Sequence, residues 1–155
     1  MTDIGEAMVA AYLREICNCD FIDKNVKINI QGVQGEIDVI GINSEDKHIY
    51  IAEVAIHTAG LQYINQREGT IDNRDRLIKK FDKAIRYAND KYKGYKKTFM
   101  FWSPVVRPTK TESGHKELTD INEISSIIRK QYNVEIQFII NEDFLTRTSR
   151  NQQVL

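Results

Sequence analysis

Apolar residues recur along the chain in two distinct rhythms, and the alternation between them predicts the order of elements. Near the start, Met8, Ala11, Tyr12 and Ile16 follow one another at helical spacing with Val9 and Leu13 beside them, so residues 3–18 read as an amphipathic helix. Asp3-Ile4-Gly5-Glu6 has the spacing of a capping box, in which the acid three residues on reaches back to the cap amide. The rhythm then shifts to period two. Val26-Lys27-Ile28-Asn29-Ile30 is one predicted strand, Gly32 and Gly35 bracket a turn, and Glu36-Ile37-Asp38-Val39-Ile40 is a second strand ending at Gly41. Asn43-Ser44-Glu45-Asp46 is turn chemistry, followed by a third strand from His48 to His57.

A polar stretch holding Gly60 and Gly69 leads into the longest predicted helix, residues 73–93, which stops near Gly94. Thr98 to Trp102 reads as a fourth strand closed by Pro104, and a loop with Pro108 follows. Residues 117–131 read as a helix, Val134 to Ile140 as a fifth strand, and a short helix is expected after Asn141. The order α-β-β-β-α-β-α-β-α predicts an α/β fold, a mixed central sheet flanked by helices on both faces. No repeat or interior linker divides it, so residues 1–155 are expected to form a single domain of 18.0 kDa.

Composition narrows the class. At 41% hydrophobic and 28% charged with two prolines, the chain is neither a disordered polymer nor a membrane protein, and its longest apolar runs are far too short to span a bilayer. No charged-then-apolar leader opens it, and Cys17 and Cys19 are too close together to staple a fold. They read as reduced thiols, which points to a cytoplasmic protein.

The formal net charge of zero conceals a segregation. Residues 1–60 hold ten acids against four bases, and residues 61–97 hold eleven bases against five acids. That arrangement can set a carboxylate cluster beside a cationic surface, suited to a polyanion bound through a metal; a solvated helix face is the plainer alternative.

The acids themselves sit oddly. Asp38 lies between Ile37 and Val39, and Glu53 between Ala52 and Val54, in strands that otherwise read as buried. Under helices on both faces an ionised carboxylate costs several kcal/mol unless it is paired, protonated or bound to a cation. A pairing with Arg or Lys from a neighbouring helix would answer this. So would a divalent metal, and oxygen ligands of this kind suit Mg²⁺ or Mn²⁺.

Gly35-Glu36-Ile37-Asp38-Val39-Ile40, then turn and strand, then Ile51-Ala52-Glu53-Val54, resembles the active-site core of the PD-(D/E)xK nuclease superfamily. The likeness is greatest to archaeal Holliday-junction resolvases and related small nucleases, because Gly5-Glu6 with Ala10 and Leu13 is similar to their first helix. The resemblance covers residues 3–103 and implies a restriction-endonuclease-like αβββαβ core. It implies that Asp38 and Glu53 bind the metal, with the Ala55 backbone carbonyl a further ligand and Glu6 completing the shell through water. Glu36, on the same face as Asp38 if the strand is regular, is either a further acid behind the site or a bridge to a base.

The resemblance breaks at Ala55, where the family carries its lysine. Three readings stand. Strand period two would place Glu53, Ala55 and His57 on one face, and His57 could act as general base or proton relay. Alternatively the lysine has migrated to the next helix, with Lys80 the first choice and Lys83 the second. Or the chain binds without cutting. Around that helix Leu77, Ile78, Phe81, Ala84, Ile85 and Ala88 form the expected buried face. Arg76, Lys79, Lys83 and Arg86 lie roughly opposite, on a solvent face able to meet phosphates, with Lys80 on the boundary. Gln62 and Tyr63, in the loop after the acid strand, could bond phosphate or sugar, and Trp102 belongs to the core or to a dimer contact.

Phosphate loops, dinucleotide fingerprints, serine-hydrolase elbows and zinc motifs are missing from the sequence. The expectation is therefore a metal-dependent nuclease acting on DNA more than RNA, a homodimer if it cuts both strands; the alternative is a nuclease-fold binding or assembly module without catalysis.

Overall fold

The computed structural model describes residues 3–55, 64–65, 70–71, 73–104, 117–141, 143–144 and 146–148. It is a mixed α/β fold. Helix α1 (Ile4–Glu15) precedes strands β1 (Phe21–Ile30), β2 (Val33–Asn43) and β3 (His48–Val54). A two-stranded ribbon, β4 (Ile64–Asn65) with β5 (Thr70–Ile71), stands where the sequence reads only as a polar stretch. Helix α2 (Asn73–Lys91), strand β6 (Lys96–Ser103), helix α3 (Glu117–Tyr132) and strand β7 (Ile136–Ile140) follow. Residues 143–144 and 146–148 are helical, as the expected short last helix requires.

The five-stranded sheet has the order β1-β2-β3-β6-β7. The first three strands form an antiparallel meander, and β6 and β7 join parallel to β3 through the crossover helices α2 and α3. Two buried clusters lie on the two faces. One holds Leu77, Phe81, Ala84, Ile85 and Ala88 of α2 with Ile121, Ile124 and Ile128 of α3, over Ile37, Ile49, Ile51 and Phe99. The other holds Val9, Ala10, Tyr12 and Leu13 of α1 with Phe144, over Val39, Ala52, Met100 and Trp102. Trp102 is fully buried, edge-on to Tyr12 at 5.0 Å, so it is a core residue.

Local chemistry explains the boundaries. Asp3 caps α1, its Oδ1 accepting from the amides of Gly5 and Glu6. The capping box is only half made: the Glu6 carboxylate accepts from Asn25 of β1 at 2.9 Å. The β1–β2 turn is two residues long, Gln31 (φ 52°) and Gly32 (φ 83°), the left-handed pair of a type I′ hairpin, and Asn29 Oδ1 accepts from the Gly32 amide. Gly35 is therefore not a turn residue but part of β2, and both strands run longer than alternation alone predicts. Cys17 and Cys19 are free thiols.

Candidate active site

The site grows out of an irregularity in β1 and β2. On β2, Ile37 packs under α2 whereas Val39 packs under α1, although a regular strand would send both to one face. The glycines on this strand agree. A Cβ on Gly35 would meet Lys83 of α2 at 2.7 Å, while one on Gly41 would meet Leu13 of α1 at 3.0 Å. On β1, Ile22 packs on the α1 side, whereas Val26 and Ile28 pack on the α2 side.

Both reversals fall at one register position. Lys24 pairs with Val39 and Val26 with Ile37, which sets Asn25 opposite Asp38. Asn25 has φ 54°, the left-handed conformation that asparagine tolerates better than other side chains. Because the strand is not regular here, Glu36 does not share a face with Asp38. It is exposed and bridges to Lys27 at 3.7 Å, which leaves it outside the acid cluster.

The crease also opens the sheet. The β2–β3 ladder stops at Val39↔Ala52, and beyond it the Asp38 carboxylate takes over as acceptor, with Val54 N–H donating to Oδ2 at 2.8 Å. Glu53 stands in this fork on the α2 side of β3, the side taken by Ile49 and Ile51. It is 1% exposed. Lys80, reaching in from α2, sets its ammonium 3.1 Å from Glu53 Oε2 and 3.7 Å from Asp38 Oδ2. The two acids and the lysine thus converge from three elements.

Electrostatics sharpen the picture. Burial pushes the Glu53 carboxyl up to about 8; the Lys80 ammonium opposes that shift, and the neighbouring Asp38 charge and hydrogen bond reinforce it. Glu53 Oε1 is buried with no hydrogen-bond partner among the described residues. Glu6 is raised as well, first by burial, against the Asn25 bond, with Asp38, Asp3 and Glu36 adding repulsion. A buried acceptor without a partner, on a carboxylate beside a second one, fits a hard cation, and Ala55 lies two residues on from Glu53. Among the described residues no three side chains of His, Cys, Asp and Glu group closely enough to hold an ion by themselves, so Glu6 is not gathered with the pair.

The remaining predicted residues divide. β3 ends at Val54, and His57, Gln62 and Tyr63 lie outside the described residues. Ala55 is buried on the α2 side. Arg76, Lys79 and Arg86 are exposed, as the helical wheel predicts, and Arg86 pairs with Asp82 at 3.1 Å. Lys83 is not on the solvent face; it is half-buried, its stem packed over Gly35, where the missing Cβ makes room. Asn25 was not legible as a site residue. An asparagine in mid-strand is the one signal that could have singled it out.

No family model matches the chain, and no curated protein matches it in sequence. Solved structures align with it, among them the following two. Can2 from Sulfobacillus thermosulfidooxidans, solved in complex with cyclic tetra-adenylate, is 19% identical with a TM-score of 0.46, over 96% of this chain and 33% of its own. Protein VC1899 from Vibrio cholerae is 14% identical with a TM-score of 0.46, over 97% of this chain and 32% of its own. The chain spans about a third of the length of each. None of its described helices is long and apolar enough to cross a membrane.

Proposed function

We propose that the protein is a metal-dependent nuclease that hydrolyses phosphodiester bonds in nucleic acid, DNA in preference to RNA, with Asp38, Glu53 and Lys80 as its catalytic centre. The observation that carries this reading is the Lys80 ammonium within reach of both carboxylates in the fork between β2 and β3. Asp38, Glu53 and the Ala55 carbonyl would hold Mg²⁺ or Mn²⁺, with Glu6 contributing through water. Such an ion, when bound, lowers the pKa of a water and offsets charge on the phosphate.

The chain's own residues account for the rest. Lys80 stands in for the lysine missing at Ala55: its Nζ brings a positive charge to the phosphate and a proton donor to the reacting oxygens. Asp38, held by the Val54 amide, keeps its carboxylate turned into the fork. Burial of Glu53 favours its protonated form, so a cation held beside it would have to offset that cost to keep it ionised. His57 remains an alternative proton relay. Arg76, Lys79 and Arg86 on the outer face of α2 would hold the sugar-phosphate backbone, so binding should weaken steeply with salt.

The test is incubation of circular single-stranded and supercoiled double-stranded DNA with the protein in Mg²⁺ and in Mn²⁺, beside Asp38→Ala, Glu53→Ala and Lys80→Ala. Cutting that all three variants lose supports the reading. Salt-sensitive DNA binding without cutting in either metal leaves a nuclease-fold binding module, with Ala55 as the residue that explains it.

A further inference from the structure

Where the β1–β2 hairpin meets the last turns of α2, a cavity of about 430 Å³ is lined by Asn29, Ile30, Gln31, Arg86, Asn89, Asp90 and Lys93. Three of these are carboxamides, the side chains that pair with base edges by donating and accepting together. Two are cations, the partners of phosphate. Ile30 is half-buried and supplies an apolar patch on which a ring can lie. Asp90, 3.8 Å from Lys91, is the one acid in the lining.

The parts are held in place by features already described. The Gln31–Gly32 turn, with both residues left-handed, fixes the hairpin tip. Asn29 Oδ1 accepts from the Gly32 amide, which leaves the Asn29 NH₂ as the donor available to a ligand. Asp82 holds Arg86 through Nε, which anchors the guanidinium. The volume lies in the range of pockets for small ligands and is too small for a duplex.

From this geometry we infer that the cavity is a subsite for one unpaired nucleotide of the strand being cut, its base against the Asn29, Gln31 and Asn89 amides and its phosphate against Arg86 and Lys93. This rests on the nuclease reading for its connection to the cut and on the cavity for its chemistry. Lys80, Lys83 and Arg86 climb α2 in three-residue steps, so a chain of cations joins the acid pair to the pocket. From Lys80 to Asn89 is ~13 Å along the helix at ~1.5 Å per residue. At ~3.4 Å per stacked nucleotide that is about four nucleotides, fewer if the strand is extended. The substrate class implied is therefore single-stranded or partly unpaired nucleic acid, a flap, overhang or bubble.

The experiment is a binding scan in metal-free buffer, so that catalysis plays no part. Single-stranded oligonucleotides of about twelve nucleotides, each with one abasic residue at a successive position, are measured by fluorescence anisotropy. They are scored against the wild type, Asn89→Ala and Gln31→Ala. The expected result is a loss of about tenfold at one or two positions for the wild type, flattened in both variants. Neither variant should weaken a fully paired duplex. A flat scan for the wild type, or variants that weaken every oligonucleotide and the duplex alike, overturns the subsite while leaving the nuclease reading standing. Failure to bind any nucleic acid overturns both.

Discussion

Asn25 occupies the register position opposite Asp38, and at that pair both strands exchange the faces to which their side chains point. The consequence is that Ile37 and Asp38, consecutive in sequence, both reach the α2 side: Ile37 to fill the core, Asp38 to meet Lys80. The same asparagine holds Glu6 from behind through its amide.

Two substitutions at Asn25 separate its backbone from its side chain. Glycine tolerates φ 54° and removes only the amide, so Asn25→Gly should cost about 1 kcal/mol and leave the fork intact. Asn25→Val forces a β-branched residue into the left-handed region, and about 2–3 kcal/mol of destabilisation is expected. The specific readout is amide exchange at Val54, whose N–H is held by Asp38. It should accelerate in Asn25→Val relative to Ile51 in the ladder, and stay protected in Asn25→Gly. Equal acceleration at both amides would show that the crease has no particular hold on Asp38.

Relocating the lysine tests its role. Lys80→Ala leaves two neighbouring carboxylates without their cation; since Lys80 is partly exposed, about 1–2 kcal/mol of stability should be lost. Cutting should fall about a hundredfold or more. Adding Ala55→Lys to Lys80→Ala returns a lysine to the fork from the strand side and should restore a measurable fraction of the rate. A double variant that folds, binds DNA and never cuts faster than Lys80→Ala would argue against an interchangeable cation.

Glu53 should make stability depend on pH in a window that the sign of its shift dictates. Its carboxyl is raised to about 8 in the folded chain, chiefly by burial, from an ordinary value of 4.5. The folded state therefore holds the proton where the unfolded state has released it. The contribution is full below pH ~4.5 and is lost as pH rises through about 8, on the order of a few kcal/mol in all. Denaturant titrations from pH 5 to 9 without divalent metal should show this decline, and Glu53→Gln, which cannot ionise, should flatten it. A wild-type curve with the same slope as Glu53→Gln would place the titration elsewhere.

Metal should reverse the loss. A cation that binds only the folded chain stabilises it by about 2.7 kcal/mol at a hundredfold excess over Kd. For a domain of this size that is a rise in Tm of roughly 5–10 °C in Mg²⁺ or Mn²⁺. The shift should vanish in Asp38→Ala and in Glu53→Ala. An undiminished shift in either variant would locate the ion away from the fork.

Much of the fold is legible in the chain because local physics dictates it. Helical spacing marks α1, α2 and α3 to within a few residues, since each must bury one stripe, and Leu77, Phe81, Ala84, Ile85 and Ala88 do so. Period-two alternation finds the central strands, although it shortens β1, which starts at Phe21 and whose rhythm changes face at Asn25. The anomaly of acids within apolar strands picks out Asp38 and Glu53, because burying a carboxylate is costly wherever the strand lies.

What the sequence by itself determined, then, is the order of the helices and of the five strands of the main sheet, the α/β class and the two acids out of place; the β4–β5 ribbon was not among them. The tertiary structure decided which cation meets them. The helical wheel ranks Lys80 first, on the boundary, and Lys83 second, on the solvent face; in the structure Lys80 enters the fork while Lys83 is half-buried across Gly35. That choice depends on the path of α2 across the sheet and on where β2 parts from β3. Both are set by long-range packing and by the crease at Asn25 and Asp38, and no local pattern encodes them.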